Sequence, residues 1–167
     1  VTDDGHGKLT VARVDANGNV LDGPAFTFTN SYGVTPTTSS VTDQIKVHKT
    51  LTGRTLDENE FTFELLEDER IVATGKNDAS GNVVLSPIKY TAPGVHNYTL
   101  REHGHGTTAN GVTYSDATYR VTTTVVDNGD GTLGVTHKLV DAGEVEFENV
   151  YTAKPTKLAL TAAKVLE

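Results

Sequence analysis

QIKVHKTLTGRTL, residues 44–56, alternates as a β-strand does, so that Ile45, Val47 and Leu51 share one apolar face. Lys49 falls on that same face. The usual role of a strand lysine is to block edge-to-edge aggregation from an edge strand. A lysine turned into a core is different, because a buried ammonium without partners is costly. The choice between the two depends on what the rest of the chain brings opposite it.

The rest of the chain is β in character. It holds 27 threonines, and Thr, Val, Tyr and Phe favour strands. Alternating runs recur: QIKVHKT, EFTFELLE, RIVATGK, NVVLSPIKY, HNYTLRE, TYRVTTTVV, TLGVTHKL and EVEFENVY. Turn clusters separate them, among them NDASGN, TAPG, HGHGTTANG, DNGDG and DAGE. Short strands at this spacing predict an all-β, antiparallel β-sandwich. No internal segment has helical periodicity. The last stretch, LALTAAKVLE, is helical by propensity alone, and the repeat argument below assigns it to a strand.

Composition narrows the function. The chain has 167 residues, of which 36% are apolar, enough for one ordinary domain with additional pieces. No apolar run approaches the roughly 20 residues of a spanning helix, so no membrane insertion is expected. The net charge of −8 (14 basic against 22 acidic residues) comes without a basic patch and argues against nucleic acid. Cysteine is absent, which excludes disulfides and thiolate chemistry. The opening VTDDGHGK is polar and acidic rather than a signal peptide, and methionine is absent. The expectation is a segment of something longer.

Internal repeats give that expectation a form. VTDDGHGKLTV (1–11) aligns without a gap on VVDNGDGTLGV (125–135), with Asp3 on Asp127, Gly5 on Gly129, Gly7 on Gly131 and Leu9 on Leu133. FTNSY (28–32) aligns on FENVY (147–151), placing Asn30 on Asn149 and Tyr32 on Tyr151. AAKVLE (162–167) aligns on VHKTLT (47–52), placing Lys164 on Lys49. Residues 1–33 then read as the C-terminal part of one repeat and 34–42 as an extended, Pro/Ser/Thr-rich linker. Residues 43–152 form a complete repeat. Residues 153–167 are a second linker and the first strand of a following repeat.

Strand phase brings Lys49 into company. Ile45, Val47 and Lys49 share a phase; so do Tyr98, Leu100 and Glu102; so do Val145, Phe147, Asn149 and Tyr151. A lysine, a carboxylic acid and a carboxamide therefore fall on core-facing positions of three strands. Together they suggest that the buried charge is removed by a reaction.

The motifs KVHKTLTGRTLDENEFTFELLE, GNVVLSPIKYTAPGVHNYTLRE, DATYRVTTTVVDNGDGTL and VEFENVY, in that order, resemble the streptococcal pilin isopeptide-linkage domain (FctA-like) of Gram-positive pilins and surface adhesins. The resemblance covers about 43–152 and the partial copies. It implies an Ig-like, CnaB-type sandwich in which a first-strand lysine bonds to a last-strand asparagine with the help of an acid. By motif position these are Lys49, Asn149 and Glu102. Burial would disfavour the lysine ammonium and keep Glu102 protonated, able to donate to the Asn149 carbonyl and to relay protons to departing ammonia. Glu64 and Asp116 are alternative acids, Glu102 has a second reading as a surface residue opening the HGHG loop, and Asn149 has one as a turn residue.

Asn30 and Lys164 are the partial-repeat equivalents. Neither end carries a counterpart of Glu102, so no bond is expected between them. The resemblance further implies an extracellular, cell-wall-anchored protein whose partners are neighbouring repeats of the same polypeptide. The alternative is a ligand-binding sandwich that contacts a carbohydrate or host surface protein through residues 103–112. A carboxylate glycosidase is a third class, but no pair of acids stands out. No cofactor or metal is expected. DNGDG lacks the closing Glu of a calcium loop, and His96, His103 and His105 match no standard zinc spacing. No nucleophile elbow or P-loop is present.

Overall fold

The computed structural model describes residues 2–3, 5–7, 9–10, 12–23, 29–140, 143–157 and 164. The chain divides into two compact units, Val1–Tyr32 and Gly33–Glu167.

In the first unit, β1 (Thr2–Asp3) and β2 (Leu9–Thr10) form an antiparallel hairpin that pairs Asp3 with Leu9. An isolated bridge joins Val14 to Val20. It closes over a turn in which the Asp15 carboxylate accepts from the Asn17 and Asn19 backbone N–H groups.

The second unit contains β3 (Thr37–Ser39), β4 (Val47–Thr52), β5 (Thr62–Glu67), β6 (Arg70–Asn77), β7 (Val83–Leu85), β8 (Ile88–Tyr90) and β9 (Gly94–Glu102). These are followed by β10 (Thr108–Ala109), β11 (Val112–Thr113), β12 (Thr118–Asp127), β13 (Leu133–Leu139) and β14 (Val145–Tyr151). One sheet runs β10-β11-β14-β4, the other β13-β12-β9-β5-β6-β7, with β3 and β8 paired separately. The eight alternating runs of the sequence all become strands, because inward apolar and outward polar residues need a two-faced element. NVVLSPIKY becomes two strands, separated by Ser86 and Pro87. Val47, Val112, Val145 and Phe147 of the smaller sheet meet Phe63, Leu65, Tyr98, Leu100 and Val121 of the larger one, and this is the sandwich core.

Among the described residues the strand pairings follow the antiparallel expectation with one exception: β14 pairs with β4 in parallel, Phe147 opposite Lys49 and Asn149 opposite Leu51. First and last strands of the domain thus lie side by side and point the same way. The stretch expected to be a loose linker, 34–42, also differs. It carries β3 and a 3-10 turn at Val41–Asp43, and Val41 is 1% exposed in the core. Ser40 donates to the Leu85 carbonyl, and the Gln44 side chain pairs with Val135 O and His137 N on β13. These polar residues cap a sheet edge that would otherwise present unpaired backbone groups. Lys164 is exposed, and its neighbours in LALTAAKVLE lie outside the described residues.

Candidate functional site

Lys49, Glu102 and Asn149 converge in the core. They are respectively 1%, 0% and 0% exposed. β4 supplies Lys49, the end of β9 supplies Glu102, and β14 supplies Asn149. Because Lys49 and Asn149 lie on adjacent parallel strands two residues out of step in register, both side chains emerge on the same face as diagonal neighbours. Glu102 reaches them from the opposing sheet, where Tyr98 and Leu100 precede it on the same buried face.

The Glu102 carboxyl group bridges the other two. Lys49 Nζ lies 3.2 Å from Glu102 Oε1 and 3.4 Å from Oε2. Asn149 Nδ2 donates to the same Oε1 at 2.8 Å. Lys49 Nζ also donates to the Phe147 carbonyl at 3.2 Å and sits 4.7 Å from the centre of the Phe61 ring. The Asn149 oxygen, Oδ1, accepts from the Ser115 backbone N–H at 2.7 Å. Among the described residues, every buried side-chain nitrogen and oxygen has a hydrogen-bond partner, as a polar cluster in a low-dielectric core requires.

Electrostatics favours the neutral forms. Burial lowers the Lys49 pKa, opposed by the charge and hydrogen bond of Glu102. Burial raises that of Glu102, opposed first by Lys49 and then by the Asn149 hydrogen bond. Both shifts have desolvation as their main cause and push the proton from the amine toward the carboxylate. An amine–carboxylic acid pair holds the same number of protons as the ion pair and avoids burying a charge, which is the direction in which both shifts point.

The approach of β4 depends on its outer neighbour. Lys49 N donates to Gly81 O at 2.7 Å, and His48 bridges Asn82. A Cβ on Gly81, which has φ +89°, would stand 2.2 Å from the Lys49 carbonyl oxygen. Glycine is required there twice over, by its backbone angle and by the close approach.

The other candidates lie elsewhere. Glu64 is held by Arg101 and His103 on the outside of the larger sheet, and Asp116 is exposed. His96 bonds Glu67 rather than sharing a partner with His103. The HGHGTTANG loop folds into the β10–β11 hairpin, which extends the smaller sheet. Asn30, the repeat equivalent of Asn149, is exposed, as is Lys164. One sequence expectation about the geometry differs from the structure: Glu102 faces the amide nitrogen of Asn149, and the carbonyl oxygen faces Ser115. The reversed amide would set two donors against each other at Ser115. Ser115 carried no signal in the sequence because its contribution is a backbone N–H, which every residue but proline possesses.

Comparison with known proteins places the chain in a family. The family model of the Spy0128-like isopeptide containing domain (FctA) matches residues 45–152, and by that match the chain belongs to this family of structural, pilin-type isopeptide domains. The family is not one of classical enzymes. No curated protein matches the chain.

Proposed function

We propose that this member of the family seals itself with a single Lys49–Asn149 isopeptide bond and serves as a structural repeat of a Gram-positive surface pilin or adhesin stalk. The supporting observation is the fully buried Glu102 carboxyl group, in reach of both the Lys49 amine and the Asn149 amide nitrogen.

The step balances within these three residues. A proton moves from the Lys49 ammonium to Glu102. The neutral Nζ attacks Asn149 Cγ, and the carbonyl electron pair moves onto Oδ1. Glu102 gives its proton to Nδ2 and takes one from Nζ. The C=O reforms, the Cγ–Nδ2 bond breaks, and ammonia leaves. Glu102 begins ionised and ends holding a proton it took from Nζ, so the total charge is unchanged. Fixed neighbours supply most of the acceleration, since well-oriented groups reach effective molarities of about 10⁵ M or more. The reaction occurs once per folded domain.

The product suits a load-bearing element. The bond joins the first and last strands where they already lie side by side, so tension passes from β4 to β14 without entering the rest of the sandwich. In this role the domain's partners are neighbouring repeats of its own polypeptide, anchored at the cell wall.

Intact mass spectrometry of the denatured chain tests the proposal. The wild type is expected to be lighter than its sequence by one ammonia, and Glu102→Gln is expected to keep its full mass. A folded wild type of full mass would reject the cross-link.

A further inference from the structure

We propose that the Ser115 backbone N–H is a catalytic donor that stabilises the negative charge developing on Asn149 Oδ1 as the isopeptide bond forms. The inference rests on the cross-linking proposed above and assigns it an electrophilic group. Attack on Cγ drives an electron pair onto Oδ1, and in a dry core that charge needs a donor already in place. Glu102 is poorly placed to be that donor, because its carboxyl oxygen faces the nitrogen that must leave. Ser115 N lies 2.7 Å from Oδ1, within the range of an oxyanion donor. The two sides of the carboxamide are thereby divided. Ser115 holds the oxygen that gains charge, and Glu102 holds the nitrogen that needs a proton.

The N–H is aimed by its own loop. Ser115 lies between β11 and β12, where its carbonyl accepts from Gly106 N at 3.0 Å. Its hydroxyl accepts from Ala117 N at 3.3 Å, and the preceding Tyr114 N donates to Thr107 O at 2.9 Å. These contacts tie the β11–β12 connection to the hairpin side of the smaller sheet, so the donor is fixed before the reaction starts. The same N–H also acts on Glu102, where it favours the ionised form, though less than Lys49 or Asn149 does. Charge developing on Oδ1 therefore shares this donor with Glu102, and Oδ1 is the acceptor it meets at 2.7 Å.

The test exchanges the N–H for an ester oxygen and leaves the Ser115 side chain in place. The full chain is made by cell-free synthesis with the α-hydroxy analogue of serine at position 115, which replaces the amide by an ester. It is refolded from denaturant, and loss of ammonia is followed by intact mass against time. The ester chain is expected to react about 100-fold more slowly than wild type. Folding is read separately by near-ultraviolet circular dichroism of the ester in a Lys49→Ala background, where no bond can form. An ester chain that reacts at the wild-type rate overturns the proposal. One that fails to fold in that background makes the N–H structural and overturns it too. A wild type that never loses ammonia removes the cross-link itself, whereas a reactive wild type with an equally reactive ester removes only the role of Ser115.

Discussion

Asn30 and Asn149 occupy matching pentapeptides, FTNSY and FENVY, yet Asn30 is exposed and Asn149 is fully buried against Glu102. The hairpins of the two copies show the opposite behaviour. Asp3 pairs with Leu9 as Asp127 pairs with Leu133, and both turns place glycines at positive φ: Gly5 and Gly7 at 76° and 85°, Gly129 and Gly131 at 81° and 86°. A hairpin is specified by its own turn residues, so it forms the same way in either unit. The environment of a carboxamide is specified by strands distant in sequence. The motif travels with the repeat; the buried polar cluster belongs to the closed sandwich.

The largest effect expected from this contrast is on stability. Lys49→Ala should restore the full mass and cost about 4–5 kcal/mol, the chain-entropy value for opening a loop of about 100 residues. Chemical denaturation of variant and wild type reads it, and equal midpoints would show that the buried Lys49 adds no more than the exposed Lys164.

Next comes the pH dependence of bond formation in freshly refolded chain. The reactive form of the pair holds one proton between Lys49 and Glu102. At low pH both groups are protonated and no nucleophile exists; at high pH Glu102 is ionised and cannot protonate the leaving nitrogen. The rate should therefore be bell-shaped, with limbs that belong to the pair. Burial lowers Lys49 and raises Glu102, so the plateau should be narrower than the span between an ordinary lysine and an ordinary glutamate. A flat profile would remove the coupled pair from the mechanism.

A smaller effect is expected at the strap formed by β3, the 3-10 turn and Gln44, which lies against β13. The buried His137 ring contacts Ser39 Oγ at 2.9 Å and Thr123 Oγ1 at 2.7 Å. Burial lowers its pKa, opposed by Asp43. The folded state then binds fewer protons than the unfolded state below the ordinary histidine value, so stability is full above that value. It is lost as pH falls through it toward the depressed one, by at most about 1.4 kcal/mol per pH unit. His137→Gln should flatten that segment of the stability–pH curve, and an unchanged slope would assign it to other groups.

The smallest expected effect is none. Asn30→Ala and Lys164→Ala should leave both the mass deficit and the unfolding midpoint of the 33–157 body unchanged. A second missing ammonia in wild type that disappears with either substitution would break the contrast between exposed and buried copies.

Much of this was legible in the chain. Period-2 alternation marked the main strands, and phase alone put Lys49, Glu102 and Asn149 on inward faces, since a strand's side chains have only two directions to take. The strap was not legible. GVTPTTSSVT is polar and has no alternation, and its order comes from capping the β13 edge and burying Val41, contacts that local pattern does not encode. Amide orientation at Asn149 was hidden for a similar reason, because the deciding partner is a main-chain donor in a loop.

By itself the sequence determined the class of fold, the turn geometry of the repeated hairpin and which polar side chains face inward, because each of these is set within a few residues by periodicity and backbone preference. Only the tertiary structure decided that β4 and β14 run parallel, that one acid of three reaches the lysine, and which atom of the carboxamide each neighbour holds. Those outcomes depend on distances between strands about 50 to 100 residues apart, and such distances exist only once the two sheets have closed over a common core.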